Sequence, residues 1–444
     1  MLNGIALIGI IIVAIVFIVL ASSKWKWHPF LAILTATIGV GLAVQMPLNT
    51  IIQSINNGFG SLMGYIGLIV VMGSIIGVIL EKSGAAMKIA QLILQLVGKK
   101  RPALAMSFIG ATVSIPVFCD SGFIILAGLN NALAKTAKVK KASLALALAS
   151  GLYTTHTLIP PTPGPITAAG NIGASDYIGT IMIIGFIVSI PTLLVAWLFA
   201  KTKGQTIETE DLTTEDWKAL NLPSAWKALL PILLPIVLIA VGTVAKFWKW
   251  ESALAEILLF LGHPLVALFI GMFSAFLLFP AKGKTYWNDW IGEGIKLAGP
   301  ILIITGAGGA FGGLLKATPM ADLIQDWITG NAFSGFTFLI IAFLIAALLK
   351  TSQGSSTNAL VITSSILAPL VPTLGFDTAY ELALVVMALG GGAMTVSHAN
   401  DSYFWVVTQF SGIQLQDAYR SYTLMTGLQG LTVLLITLVL YAFA

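Results

Sequence analysis

Four polar stretches interrupt an otherwise apolar chain, and their residue types suit the binding of a small organic anion. The first is Ser114-Ile115-Pro116-Val117-Phe118-Cys119-Asp120-Ser121-Gly122, and a second is Thr351-Ser352-Gln353-Gly354-Ser355-Ser356-Thr357-Asn358. Each is followed a few tens of residues on by a break containing histidine: Thr154 to Pro165 with His156, and Thr395 to Ser402 with His398. Helix N-termini at such breaks offer unpaired N–H groups and a positive dipole end, which suit a carboxylate. Ser, Thr and Asn side chains donate to and accept from hydroxyls. The set fits a hydroxylated carboxylate better than an apolar drug or a bare metal ion. Asp120, His156, Lys350, His398 and Asp401 stand in or between long apolar segments, where ionisable groups are costly and point to function. Candidate substrate-binding residues are Ser121, Gly122, Thr155, His156, Lys350, Gly354, Ser355, Ser356, Thr357, Asn400 and Ser402. Asp120, His398 and Asp401 are candidates for carrying a proton.

Structural alternatives stand beside these readings. Asp120 and Asp401 could cap the helices that follow them. The two histidines could be satisfied helix-end residues, and Lys350 could snorkel to the cytoplasm. Cys119 reads as a small buried residue, and His28 and His263, each before a proline, read as interfacial. The run from Gly306 to Gly313 lacks the Gly-Lys-Ser/Thr of a phosphate loop and reads as close helix packing. No metal-ligand set is assigned. An intramembrane hydrolase is disfavoured, because no Ser/His/Asp set or two-histidine metal spacing lies on the spanning segments.

These residues must be held by membrane helices. The 444-residue chain is 57% hydrophobic and 9% charged, against about 25% charged in soluble domains. A spanning helix needs about 20 apolar residues, and many segments qualify. The net charge of +5 sits in short loops, which argues against nucleic acid. A single Cys excludes an intrachain disulfide framework and a multi-cysteine metal site. The expectation is an all-α polytopic membrane protein with about ten transmembrane helices and two re-entrant helical hairpins. Scaffold spans occupy 1–58, with 47–58 an interfacial helix or loop. A first repeat occupies 59–200, with a hairpin at about 102–134 and a broken helix at about 142–170. A polar cytoplasmic linker runs over 201–228, and further scaffold spans over 229–292. A second repeat occupies 293–444, with a hairpin at about 333–375 and a broken helix at about 379–413. Placing the 23–27, 81–101, 135–141, 201–228, 281–296 and 411–421 loops inside puts all but four of the 23 Lys and Arg on the cytoplasmic side. The two repeats are then inverted, an arrangement that builds midplane sites from discontinuous helices. The arms of the second hairpin could also nearly span.

On these motifs the chain resembles the gluconate permease (Gnt) family of bacterial organic-acid transporters, within the wider ion-transporter superfamily. The residues that carry the resemblance are Pro116 to Phe123, Thr155 to Pro165, Gln353 to Thr357 and Ser397 to Trp405. The resemblance implies a bacterial inner-membrane symporter that imports gluconate, glycerate, hydroxybutyrate, D-serine or a similar acid with protons. It also implies a homodimer with a scaffold and an elevator-like transport domain, no cofactor, and lipid and substrate as partners. The family pattern places an aromatic residue and Glu at Cys119-Asp120, His at Thr162 and Arg at 350. The shorter acid at 120 and the missing imidazole at 162 admit a hydroxy acid smaller than gluconate. Within transport, a Na⁺-coupled carboxylate carrier is the alternative, and a passive channel is a further one.

Overall fold

The computed structural model describes residues 4–98, 101–210, 222–247, 253–280, 285–318, 335–399 and 401–444. Helices α1 (Gly4–Ser23) and α2 (Pro29–Ala43) lead into α3 (Leu48–Lys82) and α4 (Ala85–Val97). Helices α5 (Pro102–Val113) and α6 (Cys119–Ala137) form a pair, and α7 (Lys141–Leu158) and α8 (Pro163–Asn171) an interrupted helix followed by α9 (Ile178–Lys203). Helices α10 (Ala225–Phe247), α11 (Ala253–Gly262) and α12 (Pro264–Ala275) lie between the halves. The second half holds α13 (Thr285–Lys316), α14 (Gly335–Gln353), α15 (Ser356–Leu367), α16 (Ala379–Met394), α17 (Ser402–Ser411) and α18 (Leu424–Tyr441). The described residues are helical but for loops, short turns and one isolated bridge, Thr209 with Ile413.

Local chemistry sets many of these ends. Proline at N1 starts α2, α5, α8 and α12, where its missing N–H costs nothing. His28 and His263 are N-caps, each ring Nδ1 accepting from the N–H two residues on at 3.3 Å. Thr378 and Glu381 form a capping box at the start of α16. Gly84, at φ 74°, makes the turn between α3 and α4 in the left-handed region that glycine enters without strain.

Two helices form the centre. Every residue of α7 from Ala142 to Leu158, and of α16 from Leu382 to Met394, is buried. Helices α5, α6 and α9 pack on α7, while α14, α18 and again α9 pack on α16. The halves also brace each other crosswise: α15 packs on α8, and α17 on α6. A second group joins α3 to α13, with α2 and α12 against them and α10 against α12. Large apolar side chains such as Val13, Leu31, Leu68, Phe260 and Leu435 are exposed, as lipid-facing residues would be.

Among the described residues, seven helices are long and apolar enough to cross a membrane, or eight if Ala253–Gly262 and Pro264–Leu278, bent by 67°, count as one. The sequence suggested about ten. The shortfall comes from apolar but short stretches such as Gly9–Ile18, Pro29–Ala43 and Ala379–Met394. Helix α14 is itself long enough to span, whereas its partner α15 has 12 residues. The segment 47–58, expected as separate, is continuous with α3: Pro47 precedes its first residue and Ile51 packs under Gly41. Helix α7 runs on to Leu158, so His156 lies in its last turn and not in the break.

The α3–α13 pair depends on glycine. A Cβ on Gly309 would stand 2.6 Å from the Gly58 carbonyl oxygen and 2.9 Å from Leu62 Cβ. One on Gly313 would stand 2.9 Å from the Ser54 oxygen. Real side chains do not reach such distances, so only glycine lets the backbones approach this closely. Gly309→Val should destabilise the purified protein by about 1–3 kcal/mol, while Gly39→Ala, at a site with nothing within 4 Å, should be neutral. Equal melting temperatures for the two variants would refute the packing role.

Candidate functional site

The break between α16 and α17 builds the centre of the site. Asp401 caps α17, its Oδ1 accepting from the Tyr403 N–H at 3.1 Å. Its Oδ2 meets the Lys350 ammonium at 2.5 Å and also accepts from the Ser397 hydroxyl. Lys350 comes from the last turn of α14 and is 1% exposed. Its Nζ donates to the Gly354 carbonyl at 2.8 Å and lies 5.6 Å from the centre of the Tyr153 ring. Lys350 therefore does not snorkel, and Asp401 is both a cap and an ion-pair partner. Gly354, at φ 81°, turns the chain so that its carbonyl returns to Lys350.

The break is held under strain. Val396 adopts φ 56°, a conformation that is unusual for a β-branched residue. Its neighbour is pinned on both sides: the Ser397 N–H donates to Thr426 Oγ1 at 3.0 Å, and the Thr423 hydroxyl donates to the Ser397 carbonyl at 2.7 Å. Thr423 ends a π-helical turn, Tyr419–Thr423, a feature frequent at functional sites.

The other sequence candidates gather around this pair in groups. Asp120 lies in the first turn of α6, and the Ser402 hydroxyl donates to its Oδ1 at 3.4 Å. Ser121 lies against the Glu81 carboxylate at the end of α3. Gly122 is buried against Leu152, 2.6 Å from where a Cβ would stand. Ser355 caps α15, its hydroxyl accepting from the Asn358 N–H at 3.2 Å, and Ser356 and Thr357 follow in that first turn. Ser356 also stands beside the Tyr153 hydroxyl. The His398 ring, through Nε2, is 3.1 Å from the Thr351 carbonyl oxygen. Asn400 lies outside the described residues.

His156 stands apart from the ion pair. It is 5% exposed, and its Nδ1 has no hydrogen-bond partner among the described residues. With Ser74 of α3, whose hydroxyl is likewise unpartnered, it borders a small void walled by Pro116, Phe118, Pro161 and Thr162. Thr155 turns its hydroxyl back to the Gly151 carbonyl at 3.4 Å.

Sequence reasoning missed Ser397, Tyr153 and Tyr403 as site residues. The Tyr403 hydroxyl donates to the Ala149 carbonyl at 3.1 Å, and its ring lies 5.3 Å from that of Tyr153. A tyrosine at the second position of the helix that follows the Thr395–Ser402 break, and another three residues before His156, were the available signals. Among the described residues no three His, Cys, Asp or Glu side chains converge as metal ligands do.

An apolar helical exterior around a buried ion pair at broken helices defines an integral membrane transporter. The chain belongs to the GntP family of permeases, whose family model matches residues 5–443. It is therefore a multi-pass inner-membrane permease and not an enzyme. It is 32% identical to the D-serine transporter DsdX of Escherichia coli, over 94% of this chain and 94% of that protein. It is 29% identical to the gluconate permease of Pseudomonas aeruginosa, over 97% of each chain. In fold it resembles the YdaH transporter of Alcanivorax borkumensis, with TM-score 0.64 and 14% identity over 87% of this chain and 88% of that one.

Breaking a buried ion pair from one side leaves an uncompensated charge and costs about 3–5 kcal/mol. Lys350→Met and Asp401→Asn should each lower the melting temperature strongly. The double variant should lose much less than the two losses combined. Additive losses would show that the two side chains are not coupled.

Proposed function

We propose that this permease imports a small hydroxy-carboxylate together with protons. The observation that carries the reading is the buried Lys350–Asp401 pair at the junction of broken helices. Lys350 is the buried cation available to a substrate carboxylate, and Asp401 already occupies it. A proton on Asp401 removes that competition and lets the substrate take the ammonium. Substrate and proton then bind together, which is the requirement for symport. Asp120, hydrogen-bonded to Ser402 at the first turn of α6, is a second acid close enough to share the proton.

Around the pair, Ser121, Gly122, Ser355, Ser356, Thr357, Asn400 and Ser402 would meet the substrate's hydroxyls and carboxylate, with Thr155, His156 and His398 at the periphery. The names of the relatives, a D-serine transporter and a gluconate permease, support a small polar acid as the substrate class.

The α5–α6 and α14–α15 pairs read as re-entrant hairpins of two inverted repeats, moving as one body past α3 and α13. Glycine placement supports this. Gly73 and Gly77 precede Glu81 by eight and four residues, as Gly308 and Gly312 precede Lys316. Gly77 lies under the Pro116 carbonyl at the first tip, whereas Gly308 and Gly312 lie against Ser365, well past the second tip. The two hairpins thus contact their matching helices at different heights, as expected of a body displaced toward one side of the membrane. The reading includes a homodimer, on resemblance alone.

In proteoliposomes, an inward proton gradient should drive accumulation of one acid from a panel of gluconate, glycerate, 3-hydroxybutyrate and D-serine. Asp401→Asn should abolish that accumulation yet retain exchange of internal for external substrate. Accumulation by Asp401→Asn equal to that of the parent would reject Asp401 as the proton carrier. Dependence on Na⁺, tested by replacement with K⁺, would reject proton coupling.

A further inference from the structure

We infer that a second anion-binding site, distinct from the Lys350–Asp401 centre, lies between the α3–α13 pair and the α8–α15 pair. The inference rests on the reading of this chain as a carrier of hydroxy-carboxylates. The space there is a cavity of about 320 Å³, and pockets for small organic ligands begin near 300 Å³. Its polar lining is Asn57, Ser61 and Tyr65 from α3, Asn171 from α8, Lys316 from the end of α13 and Ser365 from α15.

The chemistry is that of a site for a hydroxylated anion. Among the described residues no Asp or Glu lines the cavity, and Lys316 forms no ion pair. No described residue claims its ammonium, in contrast to that of Lys350. Asn171 spends its amide N–H groups on the Val361 carbonyl at 3.1 Å and the Ser364 hydroxyl at 2.7 Å. Its Oδ1 is left to accept, as a substrate hydroxyl requires. A carboxylate on Lys316 and a hydroxyl on Asn171 describe the same ligand class as the central site.

The position gives the site a consequence. Helices α3 and α13 are locked together through Gly58, Gly309 and Gly313, and α8 is tied to α15 through Asn171. Across the boundary the described side-chain hydrogen bond is Thr167 with Thr305, at 3.3 Å. A ligand held by Lys316 on one side and Asn171 on the other adds a second tie between the pairs. Bound there, the substrate opposes the sliding that transport needs, so uptake falls at high substrate concentration. The rim opens to the protein's exterior, with Tyr65 64% exposed, so a lipid phosphate could supply the same anionic chemistry.

The test uses the full-length protein in nanodiscs of neutral lipid, titrated calorimetrically with whichever panel acid is transported. The parent should show two binding events. Lys350→Gln should lose one and keep the other. Lys316→Gln should weaken the surviving event by about tenfold or more, as loss of a charge-assisted hydrogen bond does, and Lys316→Arg should restore it. In proteoliposomes the parent's uptake should decline at high substrate, while Lys316→Gln should saturate simply with its low-concentration rate intact. Disappearance of the second event only when phosphatidylglycerol is added would assign the site to lipid phosphate and uphold the anion site. A single event lost completely in Lys350→Gln, or identical uptake curves for parent and Lys316→Gln, would overturn the inference and leave the carrier reading standing. Absence of any binding by the parent would reject the carrier reading itself.

Discussion

A lysine buried to 1% exposure is tolerable in a membrane helix bundle only if its charge is met, because an uncompensated ion in low dielectric costs several kcal/mol. The rest of the architecture around the centre follows from that constraint. Asp401 supplies the counter-charge, yet it can do so only from a helix N-terminus that points inward. That orientation requires the break after α16. The break places Val396 in a left-handed conformation, and the strain is contained by Thr423 and Thr426 of the neighbouring π-helical turn and α18. Gly354 then turns the α14–α15 tip so that a carbonyl reaches the same ammonium. Removing any one of these parts would leave a polar group buried without a partner.

Close backbone approach is the second requirement, and glycine meets it at several crossings. Gly110 and Gly151 let α5 and α7 touch: a Cβ on Gly110 would stand 2.5 Å from the Leu148 oxygen. Gly390 does the same between α16 and the Thr157 carbonyl, at 2.6 Å. These contacts draw the two interrupted helices together. Elsewhere the surfaces are smoother. A Cβ on Gly73 would stand 3.5 Å from the Pro161 carbonyl oxygen, an ordinary contact, and Ser74 and His156 both border the small cavity beside it. Close approach also occurs between the groups: a Cβ on Gly77 would stand 2.5 Å from the Pro116 oxygen, and one on Gly170 2.7 Å from Leu62 Cδ1.

Much of this was legible in the sequence, for identifiable reasons. Polar runs inside apolar segments announce breaks because the bilayer leaves few other uses for them, so both helix pairs and both interrupted helices were located from Ser114–Gly122, Thr351–Asn358 and their histidine-bearing successors. The glycine run 306–313 signalled close packing and is found in it. What failed were questions of extent. His156 was taken to lie in the break because Pro160 follows soon after, but proline obstructs the turn before it and not the residues further back, so α7 continues past His156. The segment 47–58 reads as too polar for a span, yet Ile51 packs on α2 and the segment continues α3. Tyr153 and Ser397 were harder to single out: the nearness of Tyr153 to His156 gives only a weak signal, and a serine in a polar break is one hydroxyl among several until its neighbours are known. The ion pair itself joins residues 51 positions apart, and no local pattern connects them.

The two proposed repeats differ in chemistry at corresponding positions, and under the carrier reading the difference would give the site a direction. Lys350 stands six residues before the start of α15, and Val113 stands six before the start of α6. Asp401 immediately precedes α17, and Thr162 immediately precedes α8. Where one half carries an ammonium and a carboxylate, the other carries a valine and a threonine whose hydroxyl is already spent on the Ile159 carbonyl at 2.6 Å. Two charged pairs facing each other would bind an anion in either of two orientations and would double the desolvation cost. One charged and one neutral half would fix the carboxylate of the proposed substrate at a single end. The hydroxyl-bearing remainder of that substrate would then face the first tip, where Asp120 and Ser402 stand in hydrogen-bond contact.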